Sequence, residues 1–209
     1  MSCRTPKTYF DPSLANTCSG IPAMSQNKRS VTTWKLNYLV SNRQNLASHR
    51  DLLLLNPWGI VIYQNQIWVV NDGTDTITNY DLFGNKILGS ISLRSAFQNV
   101  SQPTSIAVNC SGGFSVSSNT TGRASQFLIC GEHGTLQAYS PSVNPTQAYL
   151  VLNMQLTGDI SVYKGLAVAN ETLYMADFFR REIDVFDANY NRLTGFPFVD
   201  NDAIEPIPL

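Results

Sequence analysis

Pro57-Trp-Gly-Ile-Val-Ile-Tyr-Gln-Asn-Gln-Ile-Trp-Val-Val-Asn-Asp72 lies without a gap over Tyr163-Lys-Gly-Leu-Ala-Val-Ala-Asn-Glu-Thr-Leu-Tyr-Met-Ala-Asp-Phe178. The match continues, with Ile77-Thr-Asn-Tyr-Asp81 on Ile183-Asp-Val-Phe-Asp187 and Asn85-Lys-Ile87 on Asn191-Arg-Leu193. Gly59 with Gly165, Trp68 with Tyr174, Asn71 with Asp177, Tyr80 with Phe186 and Asp81 with Asp187 coincide at one constant offset. A looser middle copy pairs Pro103-Thr-Ser-Ile-Ala-Val-Asn109 with the first part of the unit. Phe127-Leu-Ile-Cys-Gly-Glu-His-Gly-Thr-Leu-Gln-Ala-Tyr139 matches the rest, after a Ser/Thr/Gly-rich insertion over 111–125.

Units therefore begin near residues 57, 103 and 163. Each reads as four short strands: a strand of small and β-branched residues, an aromatic-bearing strand, an alternating strand ending in Asp, and an outer strand beyond a polar turn. Four strands at a spacing of roughly 40 to 60 residues is the period of β-propeller blades and too long for a leucine-rich solenoid. The period-two alternation from Ile77 to Tyr80 argues against helical repeats. The expectation is an all-β chain of about three blades, an incomplete or open propeller.

Composition agrees. Only 14% of residues are charged, with 43% hydrophobic, against about 25% charged in a typical domain. A net charge of −1 gives no basic face for nucleic acid, and no window reaches the roughly 20 apolar residues of a membrane span. The start, Met1-Ser-Cys-Arg-Thr-Pro-Lys-Thr-Tyr-Phe10, lacks the apolar core of a signal peptide. A place on a virus particle or an extracellular surface would then be reached without a visible cleavable signal; otherwise the cytoplasm is expected.

Residues 1–32 read as a polar arm and 33–209 as the partial propeller. Trp34-Lys-Leu-Asn-Tyr-Leu-Val40 alternates as a strand, and Leu52-Leu-Leu-Leu55 reads as a short helix or a buried strand. Cys3, Cys18, Cys110 and Cys130 are too irregular for a disulfide scaffold or a zinc site. Cys110 and Cys130 flank the insertion, so a bridge could close it, but buried free thiols are the expected state.

Met175-Ala-Asp-Phe-Phe-Arg-Arg-Glu-Ile-Asp-Val-Phe-Asp187 resembles an NHL-type blade. Together with Asn56-Pro-Trp-Gly-Ile60, Trp68-Val-Val-Asn-Asp-Gly73, Pro103-Thr-Ser-Ile106, Glu132-His-Gly-Thr135 and Tyr163-Lys-Gly-Leu-Ala167, it resembles an uncharacterised family of NHL-like propellers. That family is found in bacteria, often beside PEP-CTERM surface-sorting systems, and has Mimivirus-like giant-virus members. The resemblance implies full propellers of about six blades, of which this chain carries about half. It implies a truncated copy, a half-propeller that dimerises, or an open stack whose edge the N-terminal arm covers.

The loops before each first strand and the turns between second and third strands open on one face. That face gathers Asn56, Trp58, Asn71, Asp72, Glu132, His133, Lys164, Asp177 and Arg180 as candidate binding residues. Related propellers hold calcium on the axis with Glu, Asn and Asp oxygens, which suits a hard cation; Asn56, Glu132 and Asp177 are the nominees here. Asn71 and Asp177 recur in register, which a turn-bonding role explains, whereas a site is asymmetric between blades. Glu132-His133 lacks a Ser or Cys nucleophile. Trp68, Tyr80, Tyr174 and Phe186 belong to blade packing, leaving Trp58 for exposure. The expected function is a non-enzymatic binding or structural module, self-associating or joined to a protein partner through an open blade edge. The alternative is a calcium-dependent lactonase- or esterase-like hydrolase.

Overall fold

The computed structural model describes residues 36–93, 101–118, 122–158 and 160–195. The expected arm over 1–32 and the expected stop beyond Phe198 lie outside the described residues. Among the described residues the chain is all-β, with two single-turn 3-10 segments, Asp72–Thr74 and Met154–Thr157.

Two short strands, β1 (Val40–Ser41) and β2 (His49–Arg50), pair in parallel ahead of the repeat. The first blade is the meander β3 (Pro57–Tyr63), β4 (Gln66–Asn71), β5 (Thr76–Asp81) and β6 (Ile91–Ser92). The second starts with β7 (Pro103–Val108). A hairpin of β8 (Ser115–Ser117) and β9 (Gly122–Ala124) follows, and then β10 (Phe127–Gly131), β11 (Thr135–Tyr139) and β12 (Tyr149–Asn153). The third is β13 (Tyr163–Ala169), β14 (Thr172–Asp177) and β15 (Glu182–Phe186). Within each blade the pairing is antiparallel, and the pairing of first with second strand shifts register once, at Pro57/Ile60, at Cys130/Gly131 and at Tyr163/Gly165. The bulge thus recurs near the loop-face end of each blade.

The blades stack face to face along their first strands. Thr104 Oγ1 donates to Tyr163 O at 2.7 Å, and Leu166 N–H donates to Ser105 Oγ at 3.4 Å. One apolar layer, with Trp68, Val70, Ile77, Ile106, Phe127 and Tyr139, fills the joint between the first and second blades. A second, with Leu128, Cys130, Leu136, Leu173, Met175 and Phe186, fills the joint between the second and third. β10 and β11 are consequently buried on both faces.

Three local expectations are corrected. Trp34 and Lys35 of the alternation ending at Val40 lie outside the described residues; of the rest, 36–39 are irregular and only Val40 enters a strand, the two-residue β1. Leu52–Leu55 is neither helix nor strand: Asp51 turns the chain there, its Oδ1 accepting from Leu53 N–H at 3.0 Å and its carbonyl from Leu54 N–H at 3.2 Å. Cys110 and Cys130 do not bridge the insertion. Cys110 is disulfide-bonded, so the free-thiol reading fails for it too, while Cys130 is a buried free thiol. Asn109 closes the insertion instead, its amide donating to Gly113 O and Ser125 O, both at 3.0 Å. The hairpin then reaches the third blade: Phe114 N–H donates to Ala188 O at 2.8 Å, and its ring packs on Tyr190.

Candidate functional site

The loop face is built by one backbone hydrogen bond repeated three times. The residue after each second strand donates its N–H to the carbonyl ahead of the first strand. These bonds are Asp72 to Asn56 at 3.1 Å, Glu132 to Gln102 at 3.0 Å and Phe178 to Val162 at 2.9 Å. Asp72, Glu132 and Phe178 are therefore equivalent positions on three blades, and so are Trp58, Thr104 and Lys164. The scaffold is the same and the side chains differ, which is where recognition can arise without disturbing the fold.

Three of these side chains converge. Lys164 Nζ forms an ion pair with Glu132 Oε1 and stands 4.9 Å from the centroid of the Trp58 ring. One residue comes from each blade, so this cluster exists only when the blades are stacked. Trp58 is 51% exposed, and the ammonium sits between a carboxylate and an aromatic face. At partly exposed sites each contact contributes only about 0.5–1 kcal/mol. Their effect is to fix a cation, an anion and a flat apolar surface side by side. Such an arrangement can bind a ligand or a partner loop. Phe178, 67% exposed, occupies the equivalent position on the third blade, and aligning the repeat on Asp72 and Glu132 would have singled it out.

The other candidates are engaged differently. Asn56, held at φ 50°, donates from its amide to Asp72 Oδ2 at 2.6 Å. Asn71 is fully buried and donates to Thr78 Oγ1 at 3.0 Å and Thr76 Oγ1 at 3.3 Å. Asp177 is buried, its Oδ1 accepting from Val162 and Arg180 N–H at 3.1 Å and from Phe179 N–H at 3.0 Å. Arg180 Nε pairs with Glu182 at 2.6 Å. His133 is half-buried on the turn between β10 and β11. Asn56, Glu132 and Asp177 thus each have a different partner. Among the described residues no group of three His, Cys, Asp or Glu side chains is placed to hold a metal ion. No helix among them is long and apolar enough to cross a membrane.

The acids that recur in register serve turns. Asp81 Oδ1 accepts from Phe83 and Asn85 N–H, both at 2.8 Å, and Asp187 Oδ1 from Asn189 and Asn191 N–H at 2.8 and 2.9 Å. The Asn85 and Asn191 amides bond the second oxygens, and these contacts hold both carboxyls below their ordinary value of 3.8. Sequence reasoning missed a buried polar unit in the third blade. Tyr163 Oη donates to Asp184 Oδ2 at 2.6 Å, and Arg192 bonds Asp184 and Glu182. Burial and the neighbouring Asp184 carboxylate push the Tyr163 phenol upward.

No protein-family model matches the chain. It is 57% identical over 212 residues to an uncharacterised protein of Acanthamoeba polyphaga mimivirus, covering 99% of this chain and 57% of the relative. A second protein of the same virus is 55% identical, with 99% and 53% covered. The chain thus spans little more than half the length of these curated relatives. Among solved structures it is similar to a catalytically inactive virginiamycin B lyase from Staphylococcus aureus with quinupristin. The TM-score there is 0.47 at 12% identity, over 66% of this chain and 40% of that one. A computationally designed protein matches at TM-score 0.45 and 12% identity, over 76% and 78%.

Proposed function

We propose that this chain is a non-enzymatic binding and structural module, a section of β-propeller that associates with protein through the bare faces of its end blades. One observation carries the reading. β10 and β11 are buried on both faces, whereas on β3 the apolar Ile60 is 63% exposed and Ile62 55%. A folded chain in water seldom leaves a strand's apolar face uncovered unless another surface meets it. The Trp58, Glu132 and Lys164 cluster adds a recognition surface on the loop face. Kinship with NHL-like, PEP-CTERM-associated propellers belongs to this proposal, supported by the Met175–Asp187 motif. A place in a virus particle or surface layer also belongs to it, supported by the mimivirus relatives. Sedimentation velocity over a wide concentration range tests the reading. Association beyond a single 23.1 kDa chain is expected, and one 23.1 kDa species at every concentration would contradict it.

A calcium-dependent lactonase- or esterase-like hydrolase, with Asn56, Glu132 and Asp177 around the axis, has one feature in its favour. Asp177 Oδ2 is a buried carboxylate oxygen with no hydrogen-bond partner among the described residues, the kind of atom a hard cation takes. Glu132 would have to exchange Lys164 for the ion. A thermal melt in calcium and in chelator decides: a higher midpoint with calcium supports this reading, and superimposed curves dismiss it.

A further inference from the structure

We propose that the bulge residues of the first strands build a sugar site on the loop face, where Trp58, Glu132 and Lys164 take a neutral pyranose ring. This rests on the reading that the loop face is a recognition surface, and it names the ligand class. In every blade the pairing of first with second strand passes over one residue. Pro103 pairs with Gly131 and Ser105 with Cys130, so Thr104 is the extra residue of β7. Tyr163 pairs with Asp177 and Gly165 with Ala176, so Lys164 is the extra residue of β13. Pro57 pairs with Asn71 and Ile60 with Val69, and the repeat makes Trp58 the third member. A bulge residue has no cross-strand partner, and the bulge re-aims its side chain out of the strand's alternation. Trp58 therefore stands apart from the alternation that carries Ile60 and Ile62. Thr104 serves the fold, its hydroxyl donating to Tyr163 O at 2.7 Å, and Trp58 and Lys164 are the two that meet. Glu132 lies beside Lys164 from the preceding blade and still leaves it 34% exposed. A blade ahead of β3 would flank Trp58 in the same way, adding to the rim of the site.

The chemistry of the three side chains selects the ligand. Trp58 is 51% exposed, and the Lys164 ammonium stands 4.9 Å from the centre of its ring, so the rest of the bicyclic surface lies open beside the charge. An ammonium carries three donors, and a carboxylate only acceptors. Lys164 Nζ is paired with Glu132 Oε1, which leaves Glu132 Oε2 and the remaining ammonium hydrogens to a ligand. A pyranose presents the complement: a face of C–H groups that packs on an aromatic ring, and edge hydroxyls that both donate and accept. Such a ring uses all three residues and leaves the ion pair intact. A charged ligand would displace one partner and exchange one partly exposed ion pair for another, with little net gain. An apolar ligand would cover the pair without satisfying it. The three side chains are held by their mutual contacts before a ligand arrives, which lowers the ordering cost of binding.

Saturation-transfer NMR on the full chain with trisaccharides of glucose, mannose, galactose and N-acetylglucosamine tests this, with circular dichroism melts confirming that each variant folds. At least one of these sugars is expected to receive saturation, with binding insensitive to salt. Trp58→Ala should weaken it about tenfold or more, and Glu132→Gln and Lys164→Met should each weaken it severalfold. Phe83→Ala, which removes an exposed aromatic on the turn after β5, should change nothing. No saturation of any of these sugars, or binding that Trp58→Ala leaves unchanged, would overturn the site. Binding confined to an acidic oligogalacturonate and lost in salt would overturn it as well. A chain that associates in sedimentation yet takes none of these sugars refutes this site and leaves the broader reading standing. Recovery of the bound sugar intact agrees with a non-enzymatic module, and its cleavage would overturn that reading while upholding the site.

Discussion

Asp81 and Asp187 each gather the N–H groups of a four-residue turn, and the Asn four residues on completes the cage in both blades. Asp51 reaches a similar state by another route. Burial pushes its carboxyl up, but Lys86, the Leu53 N–H and the Tyr80 hydroxyl together outweigh that and leave it below 3.8. All three folded-state pKa values are depressed, so the stability they contribute is fully present above the unfolded value and lost as the pH falls through the folded one. Urea midpoints should be level near neutrality and drop once the pH passes below about 4, with Asp187→Asn shrinking the drop. A midpoint unchanged between neutral and strongly acidic solution would remove these acids from any role in stability. Tyr163→Phe makes a sharper demand. It leaves the buried Asp184 Oδ2 without its 2.6 Å donor, and should cost about 1–3 kcal/mol in chemical denaturation. A loss within error would mean that water or Arg192 replaces the hydroxyl.

At the scale of the element, the first strand of each blade decides how closely blades stack. Gly59→Ala forces a methyl against the backbone of β7 and should destabilise the chain by about 1–3 kcal/mol. Gly165→Ala, on the uncovered side of β13, should leave the melting midpoint of the monomer unchanged or slightly raised. Equal losses for both would show that the two glycines are kept for backbone freedom and not for stacking. The strands were legible because the first and third units reuse the same turn: Tyr80 bridges Lys86 in the first blade as Phe186 bridges Arg192 in the third. The segment ahead of the repeat was not, because no second copy disciplines its pattern. There Leu52 lies 66% exposed in a turn that Asp51 organises. The insertion misled for a related reason: nothing in its spacing separates Cys110, which is disulfide-bonded, from Cys130, a buried free thiol, and the closing residue, Asn109, looks in sequence like any polar residue at a strand end.

For the whole molecule, the repeat placed the candidate residues on one face but could not say which of them touch. The convergence of Trp58, Glu132 and Lys164 depends on how the blades turn about their common axis, and no spacing along the chain encodes that. Nor could the sequence separate Glu132, held by Lys164, from Asp177, held by backbone N–H groups. Both are simply acids at loop ends. Among the described residues β10 and β11 are buried on both faces, while Ile60 and Ile62 on β3 stay more than half exposed, the face that the proposed association would cover. Small-angle X-ray scattering of the purified chain tests that picture most directly. The expected particle has a mass above that of a single 23.1 kDa chain. A particle of one chain's mass at every concentration would contradict it.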